Sequence, residues 1–148
     1  MLMKLTFIGA DHEVTGSCHF LEVGDTKVLI DCGMEQGNNP YQNAELPVSY
    51  SDIDYVFLTH AHIDHAGMLP WIYARGFKGQ IITTYATADL CGIMLRDSAH
   101  IQEMEAEWRN RKARRAGKTE VEALYTMQDA EGVLGHFEGV WLMDRSLN

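Results

Sequence analysis

The sequence predicts an α/β chain: a mixed β-sheet with helices packed on one face. Three observations carry that reading. The first thirty residues fall into short β-rich runs split by glycine-containing turns. From Tyr55 onward, strand-like runs alternate with helical stretches. A chain of 148 residues with 46% apolar and 22% charged residues has the material for one ordinary domain with a real core.

Lys4 to Gly9, Ser17 to Val23 and Lys27 to Ile30 are the three early strands, and Gly24-Asp25-Thr26 suits a tight hairpin between the second and third. Residues 33 to 52 are rich in Gly, Asn, Pro and Ser and read as a long surface loop of the kind that often carries function. Tyr55-Val56-Phe57-Leu58-Thr59 is nearly continuous in apolar character, as expected of a strand buried on both faces. Gly67 to Ala74 reads as a short helix, with Pro70 acceptable in its first turn and Gly76 as its stop. Gln80 to Thr84 is a further strand. Residues 87 to 116 form one long helix: Leu90, Met94, Ile101, Met104 and Trp108 keep an approximate 3.6-residue period, and Gly117 ends it. Another helix starts near Thr126, with Asp129 placed for a capping box. Gly139 to Leu142 opens one more strand.

The net charge of -9 argues against general polyanion binding. Yet six of the twelve Lys and Arg residues lie between Arg109 and Lys118. Cations at a helix C-terminus are favoured by the macrodipole. This run exceeds what capping needs, so Arg111, Lys112, Arg114 and Arg115 are candidate phosphate contacts. No interleaved aromatics support stacking on a single strand. Cys18, Cys32 and Cys91 have no CxxC spacing, which argues against a disulfide framework or a cysteine zinc knuckle and for buried, reduced thiols. No apolar run approaches the ~20 residues of a membrane span, and the N-terminus lacks signal-peptide features. A cytoplasmic location without a membrane partner is the expectation.

The chemistry is concentrated in Thr59-His60-Ala61-His62-Ile63-Asp64-His65, with four potential metal ligands within six positions. In extended backbone, side chains at i and i+2 project to the same side, so His60 and His62 can reach one metal from a strand end. Asp64 and His65 are adjacent, and a turn into a following helix can aim both at a neighbouring position. The arrangement suits a two-metal centre. Imidazole and carboxylate donors favour zinc and leave manganese or iron open.

This segment resembles the HxHxDH signature of the metallo-β-lactamase superfamily. Gly9 to Ser17, Leu29-Ile30-Asp31-Cys32-Gly33-Met34, Asp97 to Glu103 and Leu124 to Ala130 are similar to segments of its β-CASP nuclease branch. The resemblance implies a two-zinc hydrolase that cleaves RNA phosphodiesters, with Asp64 as the catalytic carboxylate among the ligands. It implies that Asp31 orients the metal loop by hydrogen bonding; read without the resemblance, Asp31 is a turn-capping residue. Complete members also supply a further histidine and a bridging aspartate from a second half-domain, and an inserted cap domain. Residues 1–148 are therefore expected to be the N-terminal half of an αββα sandwich, with an apolar sheet face left uncovered for self-association or docking. The alternatives are another hydrolase of this fold, acting on thioesters or lactams, and a noncatalytic scaffold subunit.

Overall fold

The structure is a computed structural model that describes residues 2–37 and 43–141. Six strands, β1 (Met3–Gly9), β2 (Cys18–Val23), β3 (Thr26–Ile30), β4 (Tyr55–Phe57), β5 (Gln80–Thr84) and β6 (Phe137–Val140), lie side by side in chain order in one sheet. The first three form an antiparallel meander, and β3 to β6 run parallel. Parallel neighbours need crossover connections. Helices α1 (Ile63–Ala66) and α2 (Leu69–Ala74) carry the chain from β4 to β5; α3 (Tyr85–Arg115) and α4 (Met127–Leu134) carry it from β5 to β6.

Local chemistry explains the boundaries. Val23 pairs with Thr26 across a two-residue Gly24-Asp25 turn, and Gly24 takes the left-handed φ of 60° that such a turn demands. Pro70 sits in the first turn of α2, where its missing N–H costs nothing. The Thr84 hydroxyl caps α3 by accepting the Thr87 N–H at 3.3 Å. Thr126 and Asp129 form the expected capping box on α4.

The core lies between the sheet and the helices. Phe20, Leu29, Val56 and Ile81 stand opposite one another across four strands, and all are fully buried. Leu69 and Ile72 of α2, Leu95 and Ala99 of α3, and Ala130 and Val133 of α4 close over this row. Each large aliphatic or aromatic side chain taken fully out of water contributes roughly 1.5–3 kcal/mol.

Three expectations are corrected. β4 is buried on one face only: Val56 points into the core, whereas Phe57 is 43% exposed. The opposite face of the sheet carries the row Phe7–His19–Ile30–Phe57–Ile82, continuous through the strand register. An apolar run therefore marked apolar surroundings that the described residues supply on only one side. The stripe Leu90, Ile101, Met104 and Trp108 on α3 is exposed, and only Met94 of that set packs on the core. The residues α3 buries are Thr87, Cys91, Leu95 and Ala99, three of them small. Finally, the stretch 33 to 52 is not surface throughout. Cys32 and Gly33 are buried at its start, and a short 3-10 turn, Tyr50–Asp52, leads to the buried Ile53. Residues 38–42 of this loop, and Leu142 at the end of the last expected strand, lie outside the described residues.

All three cysteines are free and buried, as expected. Burial pushes the Cys91 thiol up to about 11. The hydrogen bond with Cys18, together with burial, raises Cys32 well above the ordinary thiol range. The Cys32 and Cys91 thiolates are thus disfavoured in the folded chain. At pH 8 a disulfide reagent should modify no cysteine until the protein unfolds, and then all three. The unfolded chain ionises first, near the ordinary thiol value of 9.0, so native stability should fall as pH rises from there through about 11. Rapid labelling of the native protein at pH 8 would contradict this burial.

Candidate metal centre

The site forms at the carboxyl ends of β3 and β4, the edge where ligands bind in open α/β sheets. β3 ends at Ile30 and delivers Asp31; β4 ends at Phe57 and delivers Thr59 and His60. His62, with extended backbone, caps the single-turn α1 that holds Asp64 and His65. Backbone bonds lock the two edges together: the Cys32 N–H donates to the His65 carbonyl at 2.8 Å, the Ser17 N–H to the Asp64 carbonyl at 2.9 Å, and the Met68 N–H to the Cys32 carbonyl at 2.9 Å. Gly33 is required where these segments touch, because a Cβ there would overlap the Asp64 carbonyl oxygen.

Asp31 is the hub. It is 3% exposed, and its φ of 60° is unusual for a residue other than glycine. Its carboxylate accepts the Thr59 N–H at 2.9 Å, the Thr59 hydroxyl at 3.0 Å, the Ser17 hydroxyl at 3.3 Å and the His65 Nδ1–H at 2.7 Å. A carboxylate can only accept, so the proton sits on His65 Nδ1 and leaves Nε2 with its lone pair. The same logic passes one step further. The Thr59 hydroxyl spends its proton on Asp31, so Thr59 Oγ1 accepts from His60 Nδ1 at 2.9 Å, and His60 also presents Nε2. Sequence reasoning missed Thr59, since a threonine at a strand end reads as a β-former. Its place immediately before the first histidine was the available signal.

The four motif side chains lie next to one another. The ring centres of His60 and His62 are 4.7 Å apart and those of His60 and His65 are 4.0 Å apart. His65 Nε2 lies 3.5 Å from Asp64 Oδ2. His60 thus lies beside both His62 and His65, and the cluster is one body rather than two separated pairs. The donor chemistry, imidazole nitrogens and a carboxylate, fits a divalent metal of the zinc class. Among the described residues, however, no group of three or more His, Cys, Asp or Glu side chains is arranged to hold an ion.

The basic residues are elsewhere. β4 and β5 are parallel, so α3 starts at the edge that carries His60 and runs away from it. Arg111 lies about 40 Å further along the helix axis. Arg114 is paired with Glu120 at 2.5 and 3.1 Å, and Lys112 Nζ lies 3.6 Å over the Trp108 ring; Arg111 and Arg115 are exposed. His136, which closes α4, donates its Nδ1–H to the Gly79 carbonyl at 2.8 Å and packs near Tyr73 and Phe77, a structural placement.

The family model described as Metallo-beta-lactamase superfamily matches residues 13–128. The chain belongs to the metallo-β-lactamase superfamily. Within it, the chain is 35% identical over 145 residues to Ribonuclease TTHA0252 of Thermus thermophilus, covering 95% of this chain and 30% of that protein. It is 33% identical over 108 residues to the Transcription termination factor FttA of Methanocaldococcus jannaschii, covering 71% of this chain and 17% of the factor. It is 30% identical over 145 residues to Cleavage and polyadenylation specificity factor 73 of Drosophila melanogaster, covering 94% of this chain and 19% of that protein. These are β-CASP relatives, in agreement with the branch that the sequence resembles. The chain spans less than a third of the length of each. In a metallo-β-lactamase chain of this build, Asp31→Ala should weaken zinc binding by roughly 10- to 100-fold in a calorimetric titration, because both oriented histidines lose their fixed tautomer. Unchanged affinity would reduce Asp31 to a turn residue.

Proposed function

We propose that this chain is the N-terminal part of a β-CASP-type ribonuclease that cleaves RNA phosphodiester bonds at a metal centre. The observation that carries the reading is the Asp31-anchored cluster of His60, His62, Asp64 and His65, found in a chain 35% identical to a named ribonuclease over 145 residues. His60 and His62 would hold one metal, and Asp64 with His65 a second. Zinc, with manganese as an alternative, would supply Lewis acidity and a nucleophile at neutral pH. Asp64 is the catalytic carboxylate in this reading, the one anionic donor of the four. Thr59 and Asp31 hold His60 and His65 in the tautomers that leave Nε2 available. A catalytic zinc normally takes three protein ligands and keeps a position open, so the centre is completed by residues outside this chain. The same residues would cover the apolar row Phe7–Ile30–Phe57–Ile82; without them that face self-associates.

Among the described residues, no helix is long and apolar enough to cross a membrane. Action on cytoplasmic RNA belongs to the proposal. The basic end of α3 adds phosphate contacts remote from the cluster.

Two outcomes follow. In a chain extended to include the remaining ligands, His62→Ala or Asp64→Ala should reduce RNA cleavage by more than the ~100-fold that loss of an outer hydrogen-bonding partner produces. The 148-residue chain with added zinc should turn over poorly; robust turnover by it alone would show that the site is built from other residues. Separately, neutralising Arg111, Lys112, Arg114 and Arg115 in the extended protein should flatten the salt dependence of RNA binding. On single-stranded RNA the log–log slope should fall by up to ~0.7 for each phosphate that is no longer neutralised. An unchanged slope would assign these residues to helix solvation.

A further inference from the structure

Two exposed aromatic side chains stand at the edge that carries the metal cluster. Tyr85 is 45% exposed and Trp141 is 79% exposed. They come from different elements, so no linear pattern in the sequence shows them. The fold brings their ring centres to 4.6 Å, with the ring planes 42° apart. Tyr85 is the first residue of α3, where β5 ends, and Trp141 follows the last residue of β6. The Thr84 cap fixes the start of the helix at Tyr85. Gly139 makes room for the tyrosine ring: a Cβ there would stand 2.5 Å from Tyr85 Cδ1. A single exposed aromatic is ordinary. Here one ring backs the other, and a glycine seats the pair.

The sheet register puts this pair beside the cluster. Phe57, Ile82 and Glu138 are level across β4, β5 and β6. His60, Tyr85 and Trp141 each lie three residues beyond that row, at the same edge of the sheet. Neighbouring strands are ~4.8 Å apart, so the strand that delivers Trp141 lies about 10 Å from the strand that delivers His60. A phosphodiester held at the cluster has its flanking nucleotides within that reach. An exposed aromatic face takes a nucleobase by stacking, and takes any of them, because every base has a π-face. The cations of α3 sit at the far end of that helix and do not supply this contact.

We infer that Tyr85 and Trp141 form a base-stacking subsite for single-stranded RNA beside the metal centre. Trp141 offers the open face, and Tyr85 supports it from behind. The subsite holds a nucleotide close to the scissile phosphate without choosing its base. Bases in a duplex are stacked on one another, so the subsite favours an unpaired strand. The inference rests on the ribonuclease reading of the cluster.

The test is fluorescence anisotropy of a labelled, mixed-sequence single-stranded RNA on the chain extended to include the remaining ligands. A His62→Ala background keeps the strand intact. Trp141→Ala should weaken binding by roughly 5- to 100-fold, and Tyr85→Ala by less. Trp141→Phe should restore most of the affinity. The loss should appear at every salt concentration with an unchanged log–log slope, unlike a loss of phosphate contacts. It should vanish on an abasic strand of the same length. Unchanged RNA affinity in Trp141→Ala, or an equal loss on the abasic strand, would overturn the inference. A lowered melting temperature with unchanged RNA affinity would also overturn it, by showing that polypeptide covers Trp141. The nuclease reading is checked apart, by whether cleavage needs His62. The anisotropy needs no cleavage and decides the subsite alone.

Discussion

The buried carboxylate of Asp31 and its four donors are the interaction on which the site depends. Ser17, Thr59 and His65 come from segments at least fourteen residues away from Asp31 in sequence, and none could keep its place alone. A desolvated carboxylate is costly unless its lone pairs are filled. The fold fills them with the groups that must be oriented for metal binding. The requirement is mutual: Asp31 needs these donors to fill its lone pairs in the interior, and His60 and His65 need Asp31, directly or through Thr59, to present Nε2. The left-handed backbone at Asp31 costs roughly a kilocalorie or more per mole. It turns the side chain back across the sheet edge toward Thr59 instead of continuing the strand alternation.

Much of the fold was legible in the sequence because its signals are local. The Gly24-Asp25 turn, Pro70 in a first turn, and the Thr126–Asp129 box each act within four residues, and each boundary fell where that chemistry put it. The proximity of His60, His62, Asp64 and His65 was legible for the same reason, as they are packed into six positions. What was not legible depends on tertiary partners. Periodicity showed that Leu90, Ile101, Met104 and Trp108 share a face, but not whether that face is covered. The covered face was harder to see, because a threonine, a cysteine and an alanine contribute weakly to any hydropathy signal. The run Tyr55 to Thr59 misled in the same way: apolar character measures what a strand can bury, not what is there to bury it. Thr59 was missed because its role is a hydrogen bond to a residue twenty-eight positions away.

Two apolar surfaces stand open among the described residues, and they differ in kind. The sheet face is broad and continuous through five strands, contiguous with the edge that carries the metal cluster. Covering it would both remove apolar area from water and bring new groups to that edge. The α3 stripe is narrow, lies on the outer side of a helix already anchored to the core, and is flanked by charges of both signs. Exposed Asp97 interrupts it, and leaving it wet costs little.

Charge placement separates the two ends of α3 by the same logic. At the C-terminal end, the cations are partly spent. Arg114 is held by Glu120, Lys112 lies over Trp108, and Arg109 is within 3.9 Å of Glu105. Exposed pairs of this kind are worth at most about 1 kcal/mol each, so they do not anchor the fold. They do lower the net positive field that a phosphate backbone would meet. Arg111 and Arg115 are exposed and keep most of theirs. Added salt screens exposed charges of either kind, so it loosens the Arg114–Glu120 and Arg109–Glu105 pairs and weakens the field of Arg111 and Arg115 together.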